Sequence, residues 1–234
     1  MPRLAEIRAQ SRWSDILEGQ PQHLGIALLM TLGAVSLLSP EGGPEFLGLS
    51  ARGWAVLSIA LALVHQIVVA LGFRLQLHRA VLSRLFGARD MSVWAALFLP
   101  LLIARPVTVL IVAWFDLVPI TGMRGLEIAA GLGLIGVAVW VIRSVLVDFT
   151  LSRALGGDHF RDEIAAMPLV RSGPFALVPN AMYGLAFLGL WGIALAFGSW
   201  NALVVAAFQH GYIWVHMYCT EAPDMRWIYA NGRD

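Results

Sequence analysis

Apolar residues occur in long segments along this chain, with short polar connections between them. A helix needs about 20 mostly apolar residues to cross the hydrocarbon core of a membrane. Six segments come close to that length: His23–Ser39, Gly53–Phe73, Ser92–Phe115, Leu126–Val147, Val178–Phe197 and Trp200–Cys219. Pro100 and Pro106 interrupt the third segment, and only Gly198 and Ser199 separate the last two. We therefore expect an all-α integral membrane protein with about six transmembrane helices, the last two forming a tight helical hairpin.

The polar stretches divide the chain into three parts. We predict an amphipathic, interfacial amino-terminal segment over residues 1–22, a transmembrane helical domain over residues 23–219 and a tail over residues 220–234. Two larger polar connections, Arg74–Met91 and Asp148–Leu177, lie within the transmembrane domain. In a six-helix arrangement both connections lie on the side of the amino terminus, so chemistry with water-soluble molecules is expected on that side.

Composition supports a membrane protein and excludes several classes. Apolar residues make up 59% of the chain and charged residues 13%, with a mean hydropathy of +0.74, whereas a soluble domain is about 25% charged. An ordinary soluble enzyme, a disordered chain and a nucleic-acid-binding protein with a basic face are therefore excluded. The net charge of +1 implies no long-range electrostatic partner. The single cysteine, Cys219, excludes an intramolecular disulfide and a cysteine-based metal cluster.

Positive charge is distributed unequally between the two sides of the predicted bundle. All sixteen positive side chains are Arg. Thirteen lie on the side of the amino terminus: Arg3, Arg8, Arg12, Arg74, Arg79, Arg84, Arg89, Arg143, Arg153, Arg161, Arg171, Arg226 and Arg233. Arg52 and Arg124 lie on the other side, and Arg105 lies within the third segment. Since cytoplasmic loops carry an excess of positive residues, we expect both termini and the active site to face the cytoplasm.

Polar residues within apolar segments are candidates for a role beyond packing. Arg105 is expected either to bond carbonyl groups freed at Pro106, or a neighbouring helix, or to contact a ligand. His65 and Gln66 in the second segment are more typical of hydrogen bonding between helices than of catalysis.

Two further patterns resemble binding motifs without meeting their requirements. Gly131, Gly133 and Gly136 lie in an apolar segment with no preceding strand, which favours close helix packing over a nucleotide-binding loop. Asp158 and His159 are too few ligands for a metal site, and no metal is expected.

Chemistry is concentrated around the last two segments. His210, Trp214 and Glu221 fall on one helical stripe, and Pro223 is expected to end that helix. Such a stripe is typical of either packing and interfacial anchoring or a functional site. Before the fifth segment, prolines and glycines surround Asn180 and Tyr183. This pattern indicates either irregular backbone that lines a cavity or an ordinary turn in which Asn180 caps the helix.

Several motifs occur in an order that resembles a known family. They are Leu82-Ser83-Arg84-Leu85-Phe86-Gly87, Gly157-Asp158-His159-Phe160, Pro174-Phe175, Asn180-Ala181-Met182-Tyr183, Glu221-Ala222-Pro223 and Ile228-Tyr229. On these motifs, the chain resembles the integral-membrane phospholipid methyltransferases (phosphatidylethanolamine N-methyltransferases), relatives of the isoprenylcysteine carboxyl methyltransferases. The resemblance extends roughly from Phe73 to Tyr229. Ala181, Ala222 and Ala138 stand where the family has proline, glutamate and glycine.

The resemblance implies a cofactor, a substrate and site residues. The cofactor would be S-adenosylmethionine, and the methyl acceptor a membrane phospholipid amine, phosphatidylethanolamine or its methylated intermediates. The implied cofactor-binding residues are Glu221, Tyr183, Asn180, Pro179, Arg171, Trp214 and Gly136, so the tail over residues 220–234 contributes to the site. His216, His210 and His159 are candidates to accept the proton of the lipid amine. His216 is favoured over His210 because it lies nearer the cytoplasmic end.

Two other interpretations of the sequence stay open. A related methyltransferase would act on a small thiol, a carboxylate or an isoprenoid with the same cofactor site. A membrane scaffold or small transporter would use Arg105 and His65 as a polar path. The expected location is a bacterial inner membrane or a membrane of the endoplasmic-reticulum type, with the phospholipid substrate and the bilayer as partners and no nucleic acid.

Overall fold

The computed structural model describes residues 3–40, 43–178 and 180–229, and regular structure within them is helical apart from two isolated β-bridges. The α-helices are α1 (Arg3–Gln10), α2 (Trp13–Leu17), α3 (Gln20–Leu37), α4 (Ala51–Arg79), α5 (Val81–Phe86), α6 (Asp90–Phe115), α7 (Arg124–Ser144), α8 (Leu151–Ala154), α9 (Asp162–Ala165), α10 (Pro174–Leu177), α11 (Leu188–Phe197), α12 (Trp200–His216) and α13 (Ala222–Tyr229). Gly87–Arg89 and Gly157–His159 are 3₁₀ turns, and Val145–Phe149, Met182–Ala186 and Met217–Glu221 are π-helical segments. The all-α prediction is confirmed.

Helices occupy all six of the predicted apolar segments. Among the described residues, three helical stretches are long and apolar enough to cross a membrane, namely Ala51–Arg79, Val81–Phe115 and Arg124–Phe149. Met182–Phe197 is a shorter apolar helix, and α3 and α12 correspond to the first and sixth predicted segments. The helical fold and three candidate spans follow from these lengths and compositions.

Prolines alter the helices less than the sequence predicts. α6 runs without a break through Pro100 and Pro106, so the predicted interruption is wrong. Carbonyl groups freed by a proline within a bundle are satisfied by neighbouring helices, hydroxyl side chains and small local adjustments. The prediction that Pro223 ends the sixth helix is also wrong, because the chain continues through Met217–Glu221 into α13. Pro223 has no N–H to donate to the preceding turn, and the Cys219 carbonyl accepts instead from the side chains of Arg74 and Gln20, both at 3.3 Å.

The predicted tight hairpin between the last two helices is confirmed. Gly198 ends α11 with a φ of +71°, a conformation that glycine adopts without strain. Ser199 caps α12 by accepting a hydrogen bond from the Ala202 amide. Asp116, which directly follows α6, accepts hydrogen bonds from Ser199 Oγ at 2.7 Å and from the Asn201 amide at 2.9 Å. The hairpin is thereby tied to the end of α6.

α7 and α11 approach each other closely at glycine positions. A Cβ atom on Gly131 would lie 2.6 Å from the Ala196 amide nitrogen and 2.7 Å from the Gly192 carbonyl oxygen. A Cβ on Gly192 would lie 2.7 Å from the Gly131 carbonyl oxygen. Close packing by small residues is thus confirmed for Gly131. Gly133 and Gly136 have open space at their Cβ positions instead.

The amino-terminal segment and α13 meet at one end of the bundle, here called the polar end. Leu4 and Ile7 of α1 are buried against Leu77 of α4 and Ile228 of α13. The Leu4 amide donates to the Asp162 side chain at 2.9 Å, which joins α1 to the second polar connection. Both described chain ends and both large polar connections therefore lie at the polar end.

Candidate active site

Two π-helical segments face each other near the polar end. Tyr183, in Met182–Ala186, donates its phenolic hydrogen bond to the Glu221 carboxylate at the end of Met217–Glu221. A π-helical segment widens one helical turn and changes which side chains share a face, and such segments are frequent at functional sites. His216 and Glu221 are five residues apart, and His216 Nε2 lies 3.4 Å from Glu221 Oε1. The π-helical geometry thus brings Tyr183, His216 and Glu221 together.

His216 is buried with open hydrogen-bonding capacity. Its side chain is 0% exposed, and neither Nδ1 nor Nε2 makes a hydrogen bond to the described part of the chain. The 3.4 Å approach to Glu221 is close enough for an ion pair once His216 is protonated. The ring lies edge-on to His23 of α3 with centroids 5.7 Å apart. Buried ring nitrogens are nearly always bonded, so those of His216 are available to a ligand.

Aromatic rings border the carboxylate of Glu221. Trp214 meets Tyr183 edge-on with ring centroids 6.2 Å apart, and it stacks with Tyr218 at the same distance. A Cβ on Gly184 would lie 3.9 Å from the Trp214 ring, so the helix that carries Tyr183 packs closely against Trp214. A carboxylate beside aromatic faces is an arrangement that attracts cations.

Arg74 holds the backbone of the second π-helical segment. Its side chain is 1% exposed, and its guanidinium donates to the carbonyls of Cys219 at 3.3 Å and Thr220 at 3.2 Å. It also reaches the carbonyls of Asp15 and Glu18, both at 3.0 Å. In the sequence, Arg74 is only one of the thirteen positive charges assigned to the cytoplasmic side. Arg74 contacts α2, the segment Met217–Glu221 and α13, and these contacts cannot be predicted from the order of residues along the chain. The position of an Arg at the end of a long apolar segment does indicate that it can bind backbone carbonyls.

Asp224, on α13, joins Arg74 to His159 in a buried ion cluster. Arg74 Nη1 lies 3.2 Å from Asp224 Oδ1, and His159 Nε2 lies 3.2 Å from Asp224 Oδ2. The other ring nitrogen of His159 lies 2.9 Å from Asp158, and the ring stacks on Phe73 at 4.2 Å. The cluster connects α4, α13 and the second polar connection.

The environment of His159 makes it a cation. Burial opposes its protonation, but the charges and hydrogen bonds of Asp158 and Asp224 outweigh that effect and raise the pKa of His159 to about 10. A ring that already holds a proton near neutral pH is not available to accept another. The structure thus separates His159 from the group around Glu221.

His210 also lies apart from Glu221, deeper in the bundle. Its Nδ1 accepts a hydrogen bond from Trp191 Nε1 at 3.0 Å. Its ring stacks on Phe187 with centroids 5.6 Å apart. Packing and hydrogen bonds to Trp191 and to the Tyr183 backbone therefore occupy His210, whereas neither ring nitrogen of His216 is bonded to the described part of the chain.

The remaining predicted residues are spread over several places. Arg171 is exposed and lines an open cavity of about 560 Å³ together with Asp148 and Arg153. The Asn180 carbonyl accepts from the amides of Tyr183 and Gly184 and so starts the fifth helix. Gly136 is exposed on α7 and is not brought to the site. Pro179 lies outside the described residues.

Comparison with known proteins identifies relatives of the carboxy-terminal half. Residues 126–232 match the model of the phospholipid methyltransferase family. The chain is 29% identical over 111 residues to a phosphatidylethanolamine N-methyltransferase of Scheffersomyces stipitis, covering 46% of this chain and 13% of the relative. It is 30% identical over 107 residues to the enzyme of the same name from Meyerozyma guilliermondii, covering 44% of this chain and 12% of the relative. None of the solved structures is significantly similar.

The family match contains the geometry described above but not the whole chain. It includes Tyr183, Trp214, His216 and Glu221, and it begins after the early motif at Leu82–Gly87. The chain spans only 13% of the length of the first of these relatives. The predicted resemblance to the integral-membrane phospholipid methyltransferases is confirmed for residues 126–232.

Proposed function

We propose that this protein transfers a methyl group from S-adenosylmethionine to the amine of a membrane phospholipid, phosphatidylethanolamine or its methylated intermediates. The observation that carries the proposal is the meeting of Tyr183, His216 and Glu221 where two π-helical segments face each other. All three residues lie within the region that matches the phospholipid methyltransferase family. The relatives that this chain resembles are named phosphatidylethanolamine N-methyltransferase.

The residues around Glu221 fit a cationic cofactor. S-adenosylmethionine, when bound, supplies an electrophilic methyl group on a positively charged sulfur. The Glu221 carboxylate attracts positive charge, and the rings of Tyr183 and Trp214 favour a cation by their electron-rich faces. The Tyr183 hydroxyl holds one carboxylate oxygen and fixes its direction. Glu221, Tyr183 and Trp214 would therefore hold the cofactor.

Arg171 and Asn180 would complete cofactor binding from the aqueous side. Arg171 is exposed beside the open cavity of about 560 Å³, so its guanidinium is available for a bidentate pair with a carboxylate. Asn180 precedes Tyr183 by three residues and lies at the start of the same helix. We place the entrance for the water-soluble cofactor at this cavity.

His216 would accept the proton of the lipid amine. An ammonium group has no lone pair, so the acceptor must lose a proton before its nitrogen attacks the methyl carbon. His216 Nε2 is unbonded in the described part of the chain and lies 3.4 Å from Glu221 Oε1, within ion-pair distance of the carboxylate. Burial of His216 excludes bulk water from its ring nitrogens.

The proposed function includes an arrangement in the membrane. We propose that six helices cross the bilayer, with both termini, both polar connections and the cofactor entrance on the cytoplasmic side. The thirteen Arg residues assigned to that side support this orientation. The carboxy-terminal tail from Thr220 onward then contributes Glu221 to the site and Asp224 to the ion cluster that supports it.

Incubation of the purified protein with methyl-labelled S-adenosylmethionine and lipid vesicles tests this function. Label should enter the lipid fraction with phosphatidylethanolamine vesicles. It should not enter with phosphatidylcholine vesicles, whose nitrogen is already fully methylated. Label on an added thiol, carboxylate or isoprenoid in place of the lipid would favour the related methyltransferases. Absence of cofactor binding by calorimetry would favour the scaffold or transporter.

A further inference from the structure

Arg105 is a buried cation in the apolar middle of α6. Its side chain is 2% exposed, and no carboxylate of the described residues lies within ion-pair distance of it. Its Nε donates to Gln209 Oε1 at 2.8 Å, and its Nη2 donates to the Gln209 carbonyl at 3.2 Å. Since Arg is permanently charged, these neutral acceptors solvate the guanidinium without compensating its charge.

The hydrogen-bond network around Arg105 continues through neutral groups. Gln209 Nε2 donates to Ser58 Oγ at 3.0 Å, and the hydroxyls of Ser58 and Thr108 lie 2.7 Å apart. These bonds join α4, α6 and α12 and fix the direction of Gln209. The predicted contact of Arg105 with a neighbouring helix is therefore present, yet it adds no negative charge. A charge left unpaired in the membrane interior is a marker of a functional site.

His65 adds two unbonded nitrogens to the same interior. It is 2% exposed, and neither Nδ1 nor Nε2 has a hydrogen-bond partner in the described part of the chain. It follows Ser58 by seven residues, two turns on one face of α4. Its ring meets Phe98 of α6 at 5.0 Å, and it lies within electrostatic range of Arg105 and His216. An unpaired cation within electrostatic range of two open nitrogens indicates a ligand with anionic acceptor atoms.

We propose that Arg105 and His65 bind the phosphate of the lipid whose amine is methylated beside Glu221 and His216. This inference rests on the proposed function and adds to it the group by which the acceptor is recognised. A phosphodiester compensates the guanidinium with charge-assisted hydrogen bonds and gives an N–H of His65 an acceptor.

The spacing of the two sites matches an ethanolamine phosphodiester. The Arg105 guanidinium carbon lies 4.8 Å from the centroid of the Phe187 ring. Phe187 directly follows the π-helical segment Met182–Ala186 that carries Tyr183, roughly one turn further along the chain. Two carbons and one oxygen separate nitrogen from phosphorus in the headgroup, roughly 5 Å by standard bond lengths. An amine beside Tyr183 and Glu221 thus brings the phosphate level with Arg105, about one helical turn deeper.

Two acceptors that differ in the phosphate test the inference by activity. With Arg105→Gln, KM for phosphatidylethanolamine should rise about 10- to 100-fold, the loss expected for charge-assisted hydrogen bonds. KM for sphingosine, a long-chain amine without phosphate, should stay unchanged, as should the Kd for S-adenosylmethionine measured by calorimetry. His65→Phe should also raise KM for phosphatidylethanolamine and not for sphingosine, by a smaller factor than Arg105→Gln. Arg52→Gln is the matched control, since Arg52 donates to the Leu38 carbonyl at 3.1 Å near the opposite end of the bundle.

A thermal-shift measurement tests the same inference without methyl transfer. Short-chain phosphatidic acid should raise the Tm of the wild type and of Arg52→Gln but not that of Arg105→Gln. If Arg105→Gln does not fold, Arg105→Lys should show an intermediate shift, because it keeps the charge and loses the planar fork. The inference would be overturned if Arg105→Gln raised KM equally for phosphatidylethanolamine and sphingosine. It would also be overturned if phosphatidic acid still raised the Tm of Arg105→Gln as much as that of the wild type. An equal, Arg105-dependent shift with inorganic phosphate would replace the lipid by a free anion. If phosphatidic acid raised the Tm of the wild type but the wild type methylated no amine, the proposed function would be refuted and the phosphate site would remain.

Discussion

Replacement of Arg74 by Gln should destabilise the protein and displace Glu221. The substitution removes the bonds to the Cys219 and Thr220 carbonyls, which follow the turn that carries His216 and directly precede Glu221. It also removes the ion pair with Asp224 at 3.2 Å. Because neither group of that pair is accessible to solvent, water does not replace the lost interaction.

The magnitude follows from the burial of the pair. Loss of one partner of a buried ion pair costs about 3–5 kcal/mol, because the other charge is left uncompensated. Asp224 keeps His159 as a second partner at 3.2 Å, which favours the lower end, about 3 kcal/mol. A shift of Glu221 by a fraction of a helical turn should lower kcat/KM by about 10- to 100-fold.

Unfolding in mixed detergent–dodecyl sulfate micelles measures the change in stability, and calorimetric titration with S-adenosylmethionine measures the change in the site. Arg226→Gln is the matched control. Arg226 pairs with Glu18 on the surface of the same region, and an exposed pair contributes at most about 1 kcal/mol. If Arg74→Gln matched Arg226→Gln in unfolding and kept the wild-type cofactor affinity, the supporting role assigned to Arg74 would be refuted.

Three further outcomes follow from the same structure. The pKa of His159 is raised to about 10 from an ordinary 6.5, so its protonated ring stabilises the fold fully below pH 6.5, and this contribution should be lost as pH rises towards 10. Unfolding measured at pH 6, 8 and 10 should show the decline in stability, and His159→Gln should make stability less dependent on pH over this range. Gly131→Val should destabilise by about 1–3 kcal/mol through overpacking, whereas Gly133→Ala, with open space at its Cβ, should not; equal dodecyl sulfate midpoints would contradict the tight contact. Trp214→Phe should keep an aromatic face and bind S-adenosylmethionine within a few-fold of wild type, while Trp214→Ala should weaken calorimetric affinity by about 2- to 30-fold; equal affinities of the two variants would remove the ring from the cofactor site.

The sequence predicted the helices well because apolar length is a direct requirement of the bilayer. It did not predict the π-helical segments, since a change of hydrogen-bond register leaves no mark in the apolar pattern. That register change is why His216 and Glu221, five residues apart, lie together. In the predicted stripe, Trp214 and Glu221 contact the Tyr183 side chain, and His210 bonds to the Tyr183 backbone. The proline predictions failed for a related reason, because the bundle supplies partners that an isolated helix lacks.

The contacts of the candidate site were predicted in part, for residues in neighbouring segments of the chain. Glu221, Tyr183 and Trp214 were found from motifs in two adjacent helices. Arg74 and His23 were missed, because their contacts with the carboxy-terminal helices join residues about 145 to 195 positions apart along the chain. His159 was found as a candidate base, but its two carboxylate partners make it a cation instead. Such partners are set by tertiary packing and cannot be read from spacing.

The proposed methyl transfer depends most directly on the Glu221 carboxylate at the meeting of the two π-helical segments. The decisive measurement is methyl transfer from labelled S-adenosylmethionine to phosphatidylethanolamine vesicles by the wild type and by Glu221→Gln, with calorimetric cofactor binding measured on both. The account predicts transfer by the wild type, and for Glu221→Gln a loss of cofactor affinity together with at least a tenfold loss of transfer at unchanged fold. Unchanged cofactor affinity and turnover in Glu221→Gln would contradict it.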